Sequence, residues 1–289
     1  MNLKIVVLIK QVPDTRNVGK DAMKEDGTVN RANLPAIINP EDLNALELAL
    51  SIKDKNPNYS ITVLTMGLPK ATEVLREALY RGADEAILLT DRRLGGADTL
   101  ATSYSLAQAI RKIGKFDLII AGRQAIDGDT AQVGPQVAEK LGLPQITYAE
   151  NVVSYDESGI VVTRRLANGL ETVKAPLPCV LTVNGSAKDC RPRNAYRLQK
   201  YKYAAVASEA EKFPEEIKAL YDSREWLKIQ EWNADTISAD ANQIGLTGSP
   251  TKVKAVQSIS FTAKECLSIN DDAQLEQLVE TLIKNHTIG

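Results

Sequence analysis

Five short apolar runs divide the first 149 residues: KIVVLIK (residues 4–10), SITVLTMG (60–67), EAILLTD (85–91), DLIIAG (117–122) and QITYA (145–149). Their length, and the β-branched residues of SITVLTMG, suit strands. The continuous run KIVVLIK suits a strand buried on both faces. Helical patterns lie between them. In the first, Asn39 is placed to cap, Pro40 suits the first turn, Glu41 and Asp42 suit the positive helix end, and Leu43, Leu46, Leu50 and Ile52 mark an apolar stripe. Residues 69–81 predict a second helix, closed near Gly82. Residues 98–112 predict a third, with Leu100, Ser103, Leu106, Ala107 and Ile110 at helical spacing, and residues 130–141 a fourth. Strands alternating with helices imply an α/β fold, a parallel sheet covered by helices on both faces.

The pattern changes after residue 150. Residues 151–185 predict a β-hairpin and a further strand, with Gly159 and Gly169 at turns. Residues 188–203 are strongly basic, residues 204–227 look helical, and the chain from Lys228 is loop-rich until an amphipathic helix at 272–285. Residues 11–34, with the turn signal EDGT, predict a long excursion or hairpin.

Several function classes are disfavoured by what the chain lacks. The three cysteines, Cys179, Cys190 and Cys266, have no CxxC spacing, which argues against an iron–sulfur or cysteine-rich zinc site and fits a reducing, cytoplasmic setting. No metal site and no catalytic side chain are expected. The one histidine, His286, makes a Ser-His-Asp or Cys-His mechanism unsuited to this chain, so any chemistry should belong to a cofactor. The net charge of −2 gives no nucleic-acid footprint, and no apolar run approaches the ~20 residues of a membrane span. The N-terminal run reads as a first strand, not a signal peptide. Neither GxGxxG nor GxxxxGK[ST] is present.

Ligands of parallel sheets bind outside the carboxyl ends of the strands. Four such ends carry suggestive residues: Lys10-Gln11, Met66-Gly67, the run Gly95-Gly96-Ala97-Asp98-Thr99, and GRQAIDGDTAQVG (122–134). In the last, Thr130 and Ala131 are expected to start the helix and to offer backbone N–H groups to a pyrophosphate. Gly128 suits a positive φ or a close ligand approach. Gln124 and Gln132 can bond the polar edge of an adenine or flavin. Asp127 and Asp129 suit caps or ribose ligands; equally, they form a tight turn and nothing more.

RQAIDGDTAQVG (123–134) resembles the adenine-nucleotide loop of the electron-transfer flavoprotein beta subunit. VLIKQVPD, INPEDLNALELAL, GADEAILLTDR, the V-x-R…GLE-x-V…P-x-VLT pattern of 162–182 and IGLTGSPTKV agree in the same order, over nearly the whole chain. The resemblance implies a HUP-like α/β domain over 1–227, with a recognition loop at about 188–204, and a C-terminal arm over 228–289 that wraps an alpha subunit. It places a nucleotide against Leu8, Asn39, Pro40, Glu41, Asp42, Met66, Arg123, Gln124, Ala125, Ile126, Asp127, Gly128, Asp129, Thr130, Ala131, Gln132, Val133 and Gly134.

QVPDT, GTVNRANLPAIINPEDLNALE and DRRLGGADTLATSY resemble the electron-bifurcating branch, which implies FAD in this chain where conventional members hold AMP. Asp98 and Thr99 would then contact the flavin, although Asp98 is equally a helix cap. NADH is the expected donor, and an acyl-CoA dehydrogenase-like flavoenzyme and ferredoxin the expected acceptors. Two segments depart from the family pattern. Ala167 and Asn168 stand where acidic residues are usual. In KDCRPRNAYRLQKYKYA (188–204) the leucine anchor is replaced near Ala195, with Arg191, Arg193 and Arg197 around it. This basic run reads either as a specialised partner's docking loop or as a solvated surface.

Overall fold

The computed structural model describes residues 2–14, 35–251 and 268–288. The chain runs β1 (Lys4–Leu8), β2 (Gln11–Pro13), β3 (Ala36–Ile38), α1 (Pro40–Lys53), β4 (Ser60–Met66), α2 (Thr72–Arg81), β5 (Glu85–Leu89), α3 (Thr99–Ile113), β6 (Leu118–Gly122) and α4 (Val133–Leu141). It continues through β7 (Gln145–Asp156), β8 (Gly159–Leu166), β9 (Gly169–Ala175), β10 (Cys179–Val183), α5 (Ala195–Lys200), α6 (Ala207–Ala210), α7 (Glu215–Asp222), β11 (Gln230–Trp232) and α8 (Asp272–Lys284).

Among the described residues nine strands form one sheet in the order β11-β5-β4-β1-β6-β10-β7-β8-β9. The pairs from β11 to β7 are parallel; β7, β8 and β9 form an antiparallel meander at one end. Alternate residues of a parallel strand feed opposite cores. Ile5, Val7 and Ile9 pack with α1 and α2, while Val6 and Leu8 pack with α3 and α4. That two-sided burial is why KIVVLIK is apolar without alternation.

From β1 the chain first adds β4 and β5 on one side, then crosses back to place β6 on the other. The carboxyl ends of β1, β4 and β6 therefore splay around a switch point, where an open α/β sheet offers a crevice.

Several expectations meet a different outcome. The strand at 145–149 continues to Asp156 and turns into the meander, with a register break and a positive φ of 58° at Tyr148. The further strand, β10, inserts between β6 and β7. Helix α1 is buried almost all round, because residues 187 and 188 cover the face away from the sheet: Asn44 Nδ2 donates to both their carbonyls at 3.0 Å. On α3, Leu100 is 40% exposed and Ala101 takes its place in the core. The helical stretch at 204–227 breaks into the short α6 and α7.

Residues beyond 227 are not all peripheral. Trp232 pairs with Leu89 across β11 and β5, and Ala234, Ile237 and Ile244 are buried in the α3/α4 core. Residues 230–232 thus extend the sheet, and Ala234, Ile237 and Ile244 complete one of its cores. By contrast, α8 buries no residue among the described ones and exposes Leu275, Leu278, Val279 and Ile283. Of the excursion expected at 11–34 only residues 11–14 are described, where β2 pairs with β3; Cys266 lies outside the described residues. No described helix is long and apolar enough to cross a membrane.

Candidate nucleotide-binding site

A cavity of about 800 Å³ opens at the switch point. Its walls are the ends of β1 (Leu8), β4 (Met66) and β6 (Gly122), the turn before α3, and the loop that leads from β6 to α4. Of the residues expected to bind a nucleotide, it gathers Leu8, Asp42, Met66, Asp98, Thr99, Arg123, Gln124, Ala125 and residues 128–134. Asn39, Glu41 and Asp127 stand outside its lining, while Pro40 and Ile126 line a separate cleft of about 650 Å³ beside α2. Lys10, Leu64, Leu94, Gly96, Leu106 and Thr251 join the wall without having been assigned to it. Lys10 was legible as a strand end; Thr251, 153 residues from its partner Asp98, lies in the IGLTGSPTKV motif, which carried no expectation of a place in the site.

The loop is held from behind by the start of α1. Asn39 makes no side-chain cap to its own helix. Its amide instead spans the loop, donating to Gln124 O at 2.8 Å and accepting from Ile126 N at 3.1 Å. The expected cap is thus corrected to a tertiary clamp, favoured because Asn39 is fully buried and the loop's backbone groups must find partners there. Glu41 accepts from Gln124 N at 2.8 Å and from the Arg123 guanidinium at 2.9 Å. Asp42 accepts from Lys10 N at 2.8 Å and Gly122 N at 3.0 Å, tying β1 to β6. Burial pushes the Asp42 carboxyl up to about 7, against the lowering pull of Asn39 and these backbone donors.

The loop's own geometry differs from expectation in two ways. Helix α4 begins at Val133, so Thr130 and Ala131 precede it. Positive φ angles at Asp129 (49°) and Ala131 (52°) break the helical path there. Nor does Gly128 provide conformational freedom: its φ is not positive, and an added Cβ would meet open space. The glycines that matter are packed ones. A Cβ on Gly134 would come within 2.5 Å of Thr182 Cγ2, and one on Gly122 within 2.3 Å of Asp42 Oδ1. The outcome still suits an anion: among the described residues no acceptor meets the N–H groups of Thr130, Ala131 and Gln132.

Asp98 caps α3, with Oδ1 accepting from Leu100 N and Ala101 N at 3.0 Å. Its other oxygen accepts from Thr251 N at 3.1 Å and from Thr251 Oγ1 at 2.5 Å. Thr99 Oγ1 donates to Gln132 Oε1 at 2.8 Å, linking the two walls of the cavity. The outer wall mixes these polar groups with the apolar floor of Leu64, Met66, Leu94 and Leu106, a mixture typical of cofactor sites.

The basic segment folds inward more than its composition suggests. Arg191 pairs with the buried Glu47 and with Asp54, and Arg193 pairs with Glu77. Arg197 donates to Leu79 O at 2.7 Å and to Ala83 O, at the end of α2, where a cation satisfies terminal carbonyls. Residues 192–196, Leu198 and Gln199 remain exposed, Tyr196 by 75%.

Residues 26–212 match the family model described as the electron transfer flavoprotein domain. The chain is 46% identical over 252 residues to the electron transfer flavoprotein subunit beta of Clostridium acetobutylicum, covering 87% of this chain and 86% of that protein. It is 45% identical over 251 residues to the caffeyl-CoA reductase-Etf complex subunit CarD of Acetobacterium woodii, covering 87% and 86%. It is 41% identical over 300 residues to the electron transfer flavoprotein subunit beta of Megasphaera elsdenii, covering 99% of this chain and 100% of that protein.

Proposed function

The chain belongs to the electron transfer flavoprotein family, among its beta subunits, and from that membership we propose that it holds FAD in the cavity at the switch point. The observation that carries the reading is one juxtaposition. Residues 130–132, whose N–H groups meet no acceptor among the described residues and suit phosphate oxygens, line the same cavity as Leu64, Met66, Leu94 and Leu106, suited to ring faces. The similarity to a subunit of a caffeyl-CoA reductase-Etf complex supports a bifurcating role. In that role electrons enter from NADH and leave toward an acyl-CoA dehydrogenase-like flavoenzyme and toward ferredoxin.

When bound, FAD supplies the hydride and electron chemistry. The chain positions it. Asn39, Glu41 and Asp42 fix the loop, residues 130–132 present donors, and Thr99 and Gln132 hold the two walls in register. The exposed apolar residues of α8 fit an arm that needs a partner surface, and the reading assigns them to an alpha subunit. The nucleotide content of the purified heterodimer tests the proposal. Two FAD per heterodimer are expected; one FAD with one AMP would overturn it in favour of a structural nucleotide.

A further inference from the structure

Among the described residues two cations line the cavity, and they stand in different states. Arg123 is committed: its guanidinium lies on Glu41 at 2.9 Å and over the Tyr148 ring at 5.7 Å, with 25% of its side chain exposed. Lys10, at the carboxyl end of β1, has its ammonium at 2.7 and 2.8 Å from the two oxygens of Asp127 and is 48% exposed. Asp127 belongs to the loop but not to the cavity lining, so this pair spans the rim. The other titratable groups on the described wall, Asp42, Asp98 and Asp129, are carboxyls. An anion entering this cavity therefore meets no surplus of cationic side chains among the described residues, and is met by backbone donors and by one exchangeable ammonium.

We infer that Lys10 is the charge-reading residue of the site, and that Asp127 competes with the ligand's phosphate for it. The inference rests on the nucleotide reading above and deepens it. An exposed ion pair contributes little stability, so exchanging it is cheap. A lysine bonded to phosphate inside a partly closed cavity is worth more than the pair it leaves, because charge-assisted bonds strengthen as water is excluded. Asp127 thus holds Lys10 at the rim and sets a threshold: a phosphorylated ligand displaces it, and a neutral nucleoside does not. This also gives the loop carboxylate a role that neither a ribose contact nor a turn requires.

The test uses the full chain in its purified complex, depleted of nucleotide, titrated with AMP and with adenosine at several salt concentrations. Lys10→Gln is expected to weaken AMP binding about tenfold or more and to flatten its salt dependence, leaving adenosine unchanged. Asp127→Asn is expected to tighten AMP binding, and that gain should vanish when Lys10→Gln is added. Wild-type affinity and salt dependence in Lys10→Gln would overturn the inference while leaving the nucleotide reading intact. Equal losses for AMP and adenosine would also overturn it, since they would mark a merely structural lysine. A wild-type complex that binds neither AMP nor FAD would sink the nucleotide reading, and this inference with it.

Discussion

Arg191 lays its backbone N–H and its guanidinium on the carboxylate of Glu47, at 3.0 Å and 2.8 Å, and Lys188 closes the same carboxylate at 2.9 Å. Only 1% of the Glu47 side chain is exposed. Burial alone would raise this carboxyl, but its donors overcome burial and hold it down at about 2. An unfolded Glu47 titrates near 4.5, so its contribution is complete above that pH and is lost as pH falls toward 2. The shift corresponds to roughly 3 kcal/mol. Arg191→Ala, which strands the buried carboxylate, should cost about 3–5 kcal/mol at pH 7. Urea unfolding of wild type and variant checks this; a loss below about 1 kcal/mol would mean that water reaches Glu47.

Asn39→Ala removes the donor for Gln124 O and the acceptor for Ile126 N together. The two losses should cost about 2–4 kcal/mol in stability and weaken nucleotide retention. Asn39→Asp keeps the acceptor but turns a buried carboxylate oxygen toward Gln124 O, so it should cost at least as much as alanine. If alanine and aspartate variants retain nucleotide equally with wild type, the clamp does not shape the site.

Asp42 supplies a pH signature of opposite sign to Glu47. Its carboxyl is raised from 3.8 to about 7 in the folded chain, so the folded state holds a proton that the unfolded state releases. Its stabilising contribution is present below pH 4 and is lost as pH rises toward 7. The stability of wild type minus that of Asp42→Asn should therefore decline from about pH 4 to 7 and level off above. A difference that stays flat across this range would place an ionised aspartate in the wall.

Gly122→Ala and Gly128→Ala separate packing from loop flexibility. The first drives a methyl onto Asp42 and the α1 backbone and should cost at least ~1–3 kcal/mol. The second adds a methyl in open space at an ordinary φ and should leave melting temperature and nucleotide content within error. Equal damage from both would show that the loop is closer to its neighbours than the geometry gives.

Much of the sheet was legible because each parallel strand is apolar on both faces, and the helices between them carry their own period. The site was legible in part, since strand ends and a glycine-bearing turn must lie together at a switch point. Less legible was anything set by contacts distant in sequence. Asn39 reads locally as a cap, yet its partners are 85 and 87 residues away. The arginines of the basic run read as surface charge, yet Glu47, Glu77 and the end of α2 draw them in. The helix start at Val133 was displaced because left-handed turns at Asp129 and Ala131 leave no mark in residue type. A three-residue edge strand such as β11 is too short to show a period at all.

Helix α1 meets the nucleotide loop at Asn39, Glu41 and Asp42, and meets the basic segment at Glu47. Each residue inserted into or deleted from an α-helix turns everything beyond it by about 100° and shifts it by about 1.5 Å. A single indel between 42 and 47 would therefore swing one set of contacts off its target while leaving the other in place. The exposed turn residues 157–158 and 167–168, which close the two ends of β8 at the rim of the sheet, carry no such phase. Change in chain length should be harmless at that rim and ruinous along this one helix, whose count of residues, more than their identity, keeps two distant surfaces in phase.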